Sequence, residues 1–223
     1  MSPIKNVVIS AAGIGSRLGL NRSKCLIEVA GKTLLSYHLE RLSDVENVWV
    51  VVGFQEEDVI EEAIKIRPDC IIVRNPDYMK TNTLQSIWRV SKHLKERFLI
   101  IDADTLIEDE SFNKFMAATS DFEHLIGVSS FTTSDGVRVN VDSQGMNVTG
   151  FTRDTSFNLE WTGIAIIGTN MVVNEQIFVY QSLNDFLPIP LCNINAFDID
   201  TIQDLDMAKK IMNDGWRNNA FIN

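Results

Sequence analysis

A run of small and charged residues near the start of the chain has the composition of an anion-binding loop. Residues 10–24 read Ser-Ala-Ala-Gly-Ile-Gly-Ser-Arg-Leu-Gly-Leu-Asn-Arg-Ser-Lys and follow the apolar stretch Val7–Ile9. Small residues let the backbone approach a phosphate closely, and consecutive N–H groups form a nest that binds anions. Arg17 and Lys24 add two positive charges to this loop. We therefore predict that it binds the phosphates of a nucleoside triphosphate. The expected contacts are Ala11, Ala12, Gly13, Gly15 and Ser16.

Two common phosphate-binding motifs do not account for this loop. The P-loop requires Gly-x-x-x-x-Gly-Lys-Ser/Thr, and the chain contains no such string. The dinucleotide fingerprint Gly-x-Gly-x-x-Gly could use Gly13 and Gly15, but its third glycine position holds Leu18. The loop is thus a phosphate site of another kind.

Two Asp-x-Asp segments are candidates for metal binding. Asp102–Asp104 follows the apolar run Phe98–Ile101, and Asp198–Asp200 repeats the spacing near the end of the chain. An extended Asp-x-Asp places both carboxylates on one side, and Mg²⁺ prefers such hard oxygen ligands together with substrate phosphates. The alternative is that these aspartates cap turns or helices, since Asp200 precedes a capping-box pattern.

Composition limits the class of protein. The chain has 223 residues, 45% of them hydrophobic, which is enough for one well-packed domain. A formal net charge of −10 argues against general nucleic-acid binding. No apolar run reaches the length of a membrane span, and three unpatterned cysteines favour a reducing compartment. We expect a cytoplasmic protein with no nucleic-acid or membrane partner.

The pattern of apolar residues predicts how these segments are positioned. Strand and helix signals alternate up to residue 101, which predicts a parallel sheet covered by helices. The loops at 10–24, 53–55, 75–83 and 102–106 would then converge at the carboxyl ends of the strands. After residue 120, shorter strands separated by turns predict an antiparallel or mixed extension. A strand near 192–197 and a final helix through Met212 complete the expected order.

The loop sequence Ala-Ala-Gly-x-Gly-x-Arg-Leu, followed by a lysine, resembles the signature of nucleotidyltransferases that make sugar nucleotides and related activated head groups. The small size is closest to the phosphocholine cytidylyltransferase-like branch. The resemblance implies an α/β fold, a three-layer α/β/α sandwich with a mixed, mostly parallel sheet. It implies one domain over 1–223, with nucleotide binding in about 1–120 and acceptor binding in about 121–200.

The resemblance also implies roles for individual residues. Lys24 would neutralise the α-phosphate during attack, and Arg17 would hold the β- and γ-phosphates. Asp104 and Asp200 would bind Mg²⁺. One departure stands beside the lysine, because Ser23 occupies the place where the family has proline. Proline would stiffen this approach, so serine is expected to loosen the loop.

The polar loop at 75–86 resembles the segment that reads the nucleobase in this family. The resemblance implies that Asn82 and Thr83 contact the base, together with Gly53 at the end of the predicted strand 47–53. Asn82 and Thr83 could instead cap the helix that follows. Both interpretations remain open on the sequence alone.

The candidates for the acceptor site are Arg138, Arg153, Glu160 and Trp161. Either arginine could hold an acceptor phosphate in a bidentate manner. Trp161 with Glu160 could hold a cationic head group by cation–π and charge contacts. Trp161 is equally well explained as an ordinary packed aromatic residue in a strand.

The expected activity is Mg²⁺-dependent transfer of a nucleoside monophosphate to a small phosphorylated or phosphonate acceptor, with release of pyrophosphate. CTP is the favoured donor because of the branch resemblance. The acceptor would be phosphocholine-like or a sugar 1-phosphate, and the protein a monomer or homodimer. Two alternatives are a nucleotide-sugar-dependent glycosyltransferase and an inactive nucleotide-binding regulatory domain.

Overall fold

The computed structural model describes residues 2–15 and 18–216 of the chain. Strands and helices alternate through most of these residues. The strands are β1 (Asn6–Ala11), β2 (Glu28–Val29), β3 (Lys32–Thr33), β4 (Asn47–Val52), β5 (Ile71–Arg74), β6 (Phe98–Asp102), β7 (Thr105–Ile107), β8 (Leu125–Ser129), β9 (Arg138–Val141), β10 (Asn147–Thr152), β11 (Glu160–Ile167), β12 (Ile189–Asn193) and β13 (Ala196–Asp198). The helices are α1 (Leu34–Arg41), α2 (Glu56–Ile66), α3 (Thr83–Ser91), α4 (Asp109–Ala118), α5 (Val179–Leu183) and α6 (Ile202–Asp214).

The central sheet is mixed. Its strand order is β5-β4-β1-β6-β11-β8-β12-β10-β9. The first four strands are mutually parallel, as the alternation of strands and helices predicts. From β11 onward most pairings are antiparallel, with β8 and β12 as a parallel pair. The predicted mixed α/β sheet is confirmed.

Helices cover both faces of this sheet. Val7 and Ile9 of β1 pack in one core cluster, which includes residues of α1, α2 and α4. Val8 faces the other way and packs with residues of α3 and α5. This alternation follows from the two-residue period of a strand, and each fully buried aliphatic side chain contributes roughly 1.5–3 kcal/mol. The three-layer arrangement is confirmed.

The order of the parallel strands creates the position for a ligand. Strand β1 has β4 on one side and β6 on the other, so the chain changes direction across the sheet at β1. In open α/β sheets, ligands bind beyond the carboxyl ends of the strands at such a point. The glycine-rich loop follows β1, and Asp102–Asp104 follows the body of β6. The two segments therefore lie at the same edge.

Some short elements differ from the sequence expectation. The predicted strand near 192–197 is two strands, because β12 belongs to the central sheet while β13 leaves it and pairs with β7. The strand β7, the β2–β3 hairpin and helix α4 have no counterpart in the sequence prediction. A strand of three residues such as β7 is too short for an alternating pattern, and it exists here through pairing with a distant segment. In the described part of the chain, no helix combines the length and apolarity needed to cross a membrane.

Candidate functional site

Lys24, Asp104 and Asp200 meet at the carboxyl edge of the sheet. The Lys24 ammonium Nζ lies 2.7 Å from Asp104 Oδ2 and also contacts Asp200 Oδ1. Lys24 begins a 3-10 turn after the glycine-rich loop, Asp104 follows β6, and Asp200 follows β13. The structure therefore brings together three residues that the sequence analysis assigned to one reaction centre.

Pairing between β7 and β13 places the two Asp-x-Asp segments side by side. Thr105 lies opposite Asp198 in this antiparallel pair. The Thr105 hydroxyl donates a hydrogen bond of 2.6 Å to Asp198 Oδ1, and the Ile199 N–H donates one of 3.0 Å to the Asp104 carbonyl. The two-stranded sheet thus fixes the distance between Asp104 and Asp200.

The ionisation of the site reflects its crowded carboxylates. Burial alone would lower the pKa of the Lys24 ammonium, but Asp104 and Asp200 outweigh it and raise that pKa. Burial raises the pKa of Asp102 to about 8, and the nearby Asp104 carboxylate adds to the shift. Burial likewise raises the pKa of Asp198 well above its usual range, with Asp104 and Asp102 contributing. Lys24 is therefore fully charged at neutral pH, and Asp104 and Asp200 are the carboxylates that face it.

Gly163 makes room for Asp102. It lies in β11, where the register with β8 shifts, and it has a φ of +71°. A Cβ at this position would lie 2.6 Å from Asp102 Oδ2 and 3.0 Å from Asp102 Cβ. Glycine is therefore required both by the backbone angle and by the carboxylate. Sequence reasoning missed this residue, because a lone glycine within a strand pattern indicates only a bulge or a close approach.

A cavity of about 350 Å³ opens above these residues. Several residues that the sequence analysis proposed for nucleotide or metal binding line it: Ala11, Gly13, Gly15, Lys24, Thr83, Asp104 and Asp200. Cys25 also lines the cavity, but burial raises the pKa of its thiol to about 12, so it is not a nucleophile at neutral pH. Ser16 and Arg17, two further predicted contacts, lie outside the described residues.

Ala12 and Gly53 form the contact between the phosphate loop and the next strand end. The Ala12 carbonyl accepts a 3.2 Å hydrogen bond from the Phe54 N–H. A Cβ on Gly53 would lie 2.9 Å from that carbonyl oxygen and 2.7 Å from Tyr78 Cβ. Gly53 thus permits close packing of two loops.

Ser23 is held firmly where the family pattern has proline. Its side chain and backbone are 1% exposed, and its φ of −56° lies within the range that a proline ring imposes. The Ser23 N–H, a group that proline lacks, donates a 2.7 Å hydrogen bond to Gln55 Oε1. Gln55 Nε2 donates to the Asn21 carbonyl at 3.1 Å. Gln55, which sequence reasoning missed, thus restrains the loop that we expected serine to loosen.

The loop at 75–86 is organised by its own amides. Asn82 caps helix α3, because its Oδ1 accepts from the Gln85 N–H, and its Nδ2 donates to the Ile177 carbonyl at 2.7 Å. The capping interpretation therefore describes Asn82 in this structure. Thr83, by contrast, lines the cavity. Buried Asn75 donates to Thr81 and Ser86 hydroxyls and fixes the start of the loop.

A second cavity, of about 190 Å³, adjoins the first. The two share four lining residues: Thr83, Asp102, Asp198 and Asp200. Arg153 and Trp161, both proposed for acceptor binding, line the second cavity, as do Phe178 and Tyr180. The predicted acceptor residues Arg153 and Trp161 therefore lie next to the predicted metal carboxylates.

Glu160 has a structural role in place of the one proposed for it. It is 3% exposed, and its carboxylate forms an ion pair with Arg138, which is also buried. The same carboxylate accepts hydrogen bonds of 2.8 Å and 2.9 Å from the backbone N–H and hydroxyl of Thr133. A carboxylate with these partners is not available to a cationic head group. Its contacts fix the loop 133–137, which borders the second cavity.

The donor set fits Mg²⁺ held jointly by protein and substrate. Within residues 2–15 and 18–216, no group of three or more His, Cys, Asp or Glu side chains has the arrangement of a complete protein-made metal site. Mg²⁺ in phosphoryl-transfer sites needs only one or two carboxylates, with phosphates and water as its other ligands. Asp104 and Asp200 meet that requirement, since the Lys24 cation already bridges them.

Comparisons with known proteins agree with this fold. The bifunctional protein GlmU of Methanococcus vannielii is 24% identical over 190 residues, which are 82% of this chain and 44% of that protein. The chain thus spans less than half the length of that relative. The inositol-1-phosphate CTP transferase from T. maritima has a TM-score of 0.76 and 17% identity, and the match covers 97% of this chain and 99% of that one.

A second solved structure is similar over nearly the whole chain. The CTP:phosphocholine cytidylyltransferase from Streptococcus pneumoniae has a TM-score of 0.74 and 19% identity, and the match covers 94% of this chain and 100% of that one. At these identities the likeness shows the fold. A family model, the MobA-like NTP transferase domain, matches residues 7–139, which contain the glycine-rich loop, Lys24 and Asp104. By that match, over more than half of its residues, the chain belongs to the MobA-like NTP transferase domain family.

Proposed function

We propose that the protein transfers a nucleoside monophosphate from a nucleoside triphosphate to a small phosphorylated or phosphonate acceptor, releasing pyrophosphate. The observation that carries this proposal is the contact of Lys24 with Asp104 and Asp200 beside the glycine-rich loop. In this arrangement the loop and the cation would bind the phosphates of a triphosphate, and the two carboxylates would bind a divalent metal. Family membership supports the same reaction class.

The chemistry requires little covalent participation by the protein. A phosphate acceptor is already ionised at neutral pH, so its oxygen attacks the α-phosphorus without a general base. The new bond joins acceptor oxygen to α-phosphorus, and the bond to the bridging oxygen breaks, so that pyrophosphate leaves with the electron pair. Lys24 stabilises the charge that develops on the α-phosphate, and positioning supplies much of the remaining rate.

Asp104 and Asp200 are the residues that would hold Mg²⁺. When bound, the metal supplies positive charge to the phosphate oxygens and orients them. Asp102 and Asp198 line the same cavity as these two carboxylates, with Gly163 packed against Asp102 and Thr105 bonded to Asp198. Their proposed role is to support the metal-binding pair.

CTP is the proposed donor among the four nucleoside triphosphates. The two proteins of known structure compared above are named as a CTP transferase and a CTP:phosphocholine cytidylyltransferase, which supports this choice. In this chain, the base would lie near Thr83, Gly53 and the 75–86 loop, at the side of the first cavity. Because Ser23 is fixed by Gln55, the departure at this position gives no support to an inactive regulatory domain.

A direct assay tests the reaction class. The protein would be incubated with each nucleoside triphosphate, Mg²⁺ and either phosphocholine or a sugar 1-phosphate, and pyrophosphate release would be measured. We expect release that depends on acceptor and metal, highest with CTP. Lys24→Met should reduce turnover by about 100-fold or more, as loss of a charge-stabilising group does. The matched control Lys32→Met removes an exposed lysine that pairs with Glu40. Full activity of Lys24→Met, or no release with a broad panel of acceptors, would contradict the proposal.

A further inference from the structure

The second cavity contains a cation that belongs to the chain itself. The guanidinium carbon of Arg153 lies 6.0 Å from the ring centroid of Phe178 and 5.8 Å from that of Tyr180. These two rings are stacked, with centroids 5.6 Å apart and 9° between their planes. A cation at about 6 Å from an aromatic face is attracted to it. The aromatic surface that could bind a cationic ligand is therefore already taken by Arg153.

A backbone contact determines where Arg153 lies. Its Nη1 donates a hydrogen bond to the Asp135 carbonyl. Asp135 belongs to the loop that Glu160 and Arg138 hold in place, through their contacts with Thr133. The next residue, Gly136, packs so closely on the Glu160 carboxylate that a Cβ there would overlap it. The position of Arg153 thus rests on a buried ion pair.

The aromatic rings around Arg153 pack against one another. Trp161 packs against Phe151 with centroids 5.4 Å apart and meets Tyr180 edge to face at 6.4 Å. Trp161 is 8% exposed, so most of its surface is used in this packing. The aromatic group is a rigid wall of the second cavity, and Arg153 is the charged group on that wall.

The chemistry of Arg153 indicates what it binds. A guanidinium has five N–H donors in a planar fork that matches a carboxylate or phosphate, and the Asp135 carbonyl accepts one of them. Asp135 and Arg153 are both exposed and both border the cavity, but Arg153 is the one that lies over the rings. Glu160, the buried acid near the rings, is engaged by Arg138. The other acids that line this cavity, Asp102, Asp198 and Asp200, also line the first cavity. The aromatic wall with Arg153 therefore favours an anion over a cation.

We propose that the acceptor carries a second anionic group, a carboxylate or a phosphate, at the end opposite its reacting phosphate, and that Arg153 binds this group. The inference rests on the proposed function, because it assigns the second cavity to the acceptor. The two cavities share Asp200 and Thr83, so an acceptor spanning them directs one end to Lys24 and the other to Arg153. A quaternary ammonium at the far end would meet the guanidinium over the same rings.

Matched pairs of acceptors test whether the end opposite the reacting phosphate is anionic. Two pairs differ by one anionic group: glycerol 3-phosphate with 3-phosphoglycerate, and glucose 1-phosphate with glucose 1,6-bisphosphate. Phosphocholine supplies the cationic case. With pyrophosphate release as the readout, we expect kcat/KM to be at least tenfold higher for the doubly anionic member of a pair than for its partner and for phosphocholine.

Substitution of the arginine tests the residue. Arg153→Gln should raise the KM for the doubly anionic acceptor at least tenfold, leave kcat within about threefold, and abolish the preference within each pair. Lys114→Gln removes an exposed cation on α4, paired with Glu110, and serves as the matched control. A preference for phosphocholine, or an unchanged KM in Arg153→Gln, would overturn the inference while leaving the nucleotidyl transfer itself intact.

Calorimetry separates this inference from the proposed function. Binding of 3-phosphoglycerate and glucose 1,6-bisphosphate would be measured with Mg²⁺ and a non-hydrolysable CTP analogue. If no acceptor is turned over, the proposed function fails, yet binding to the native protein and its loss in Arg153→Gln would still support the anion site. Absence of binding to the native protein, or equal binding to Arg153→Gln, would overturn the inference.

Discussion

The Lys24 ammonium lies 2.7 Å from the Asp104 carboxylate, so the cation proposed to meet the α-phosphate rests on a carboxylate proposed to bind the metal. Asp200 contacts the same ammonium. One positive charge thus faces two carboxylates, so the group can accept a further cation. In the proposed reaction, Asp104 and Asp200 would hold the metal of a metal–triphosphate complex, and Lys24 would contact a phosphate in their place. Under this proposal, binding of the metal and release of the lysine are coupled.

This coupling predicts a metal dependence of stability in Lys24→Met. Loss of the ammonium leaves Asp104 and Asp200 facing each other, and the unfolding free energy should fall by about 2 kcal/mol, as when a charged hydrogen-bonding partner is removed. Mg²⁺ should restore this loss, so that the rise in Tm with Mg²⁺ exceeds that of the native protein. Thermal unfolding over a Mg²⁺ series measures both effects. Lys32→Met, at an exposed pair, should show neither. An equal Mg²⁺ response in Lys24→Met and the native protein would argue against the coupling.

The hydrogen bond from Ser23 to Gln55 predicts that Gln55 positions Lys24. Gln55→Ala should lower kcat/KM for the triphosphate about tenfold, chiefly through KM, because the loop before Lys24 loses its restraint. Adding Ser23→Pro to that variant should recover most of the loss, since proline fixes a φ close to the −56° observed.

The single variant Ser23→Pro is compared with the double variant that also carries Gln55→Ala. With Gln55 present, the proline ring replaces the N–H that lies 2.7 Å from Gln55 Oε1, so the single substitution should be worse than the double one. Steady-state kinetics of the three variants form the test. Additive losses in the double variant would show that Ser23 and Gln55 act independently.

The close approach of Gly163 to Asp102 predicts an unequal effect of two alanine substitutions. Gly163→Ala places a Cβ 2.6 Å from Asp102 Oδ2 at a φ of +71°, whereas Gly145→Ala has a φ of +68° and open space around it. Gly145→Ala should cost about 1 kcal/mol of unfolding free energy from backbone strain alone. Gly163→Ala should cost about 2–3 kcal/mol and should also reduce turnover, because Asp102 must move. Denaturant unfolding and pyrophosphate assays of both variants check this, and equal losses would contradict it.

His38 predicts a pH dependence of stability that is unrelated to catalysis. It is fully buried on helix α1, and burial, with a smaller effect of Arg41, lowers the pKa of its imidazole from 6.5 to about 3. The unfolded chain therefore binds a proton below pH 6.5 that the folded chain does not bind until near pH 3. The stability contributed by neutral His38 is complete above pH 6.5 and falls by about 1.4 kcal/mol per pH unit below about pH 6.

Substitution of His38 isolates this contribution. His38→Leu should flatten the decline in unfolding free energy between pH 6.5 and pH 4.5, as measured by denaturant titration. His93 is exposed, and His93→Gln should keep the native slope. If His38→Leu declines as steeply as the native protein, another group must be responsible.

Local sequence predicted those features of the site that depend on short segments. The apolar run before Ser10 indicates β1, which is confirmed, and the small residues after it indicate a phosphate loop, which lines the first cavity. Asp104 and Asp200 could be proposed as partners only through the family resemblance, because their contact depends on the pairing of β7 with β13. No local pattern marks a pairing between three-residue strands.

The residues of the proposed acceptor site were harder to predict, because several side chains in this region are equally plausible ligands from sequence alone. Glu160 and Trp161 are neighbours in sequence, yet they face different surroundings in β11: Glu160 pairs with Arg138, and Trp161 packs among rings. Arg138 was as plausible a ligand as Arg153 from sequence. The difference between them is burial, with Arg138 at 4% exposure. Which of two arginines is enclosed depends on tertiary packing.

The β7–β13 pair also sets an order of events during synthesis. Thr105 and Asp198 are 93 residues apart, and Lys24 and Asp200 are 176 residues apart. A nascent chain that has emerged only as far as β12 contains the phosphate loop and Asp104 but not the second carboxylate. Since such distant contacts form late, the ribosome-bound chain cannot complete the reaction centre until Asp200 has been translated and released. A nascent chain that lacks Asp200 therefore lacks one of the two carboxylates proposed to hold the metal.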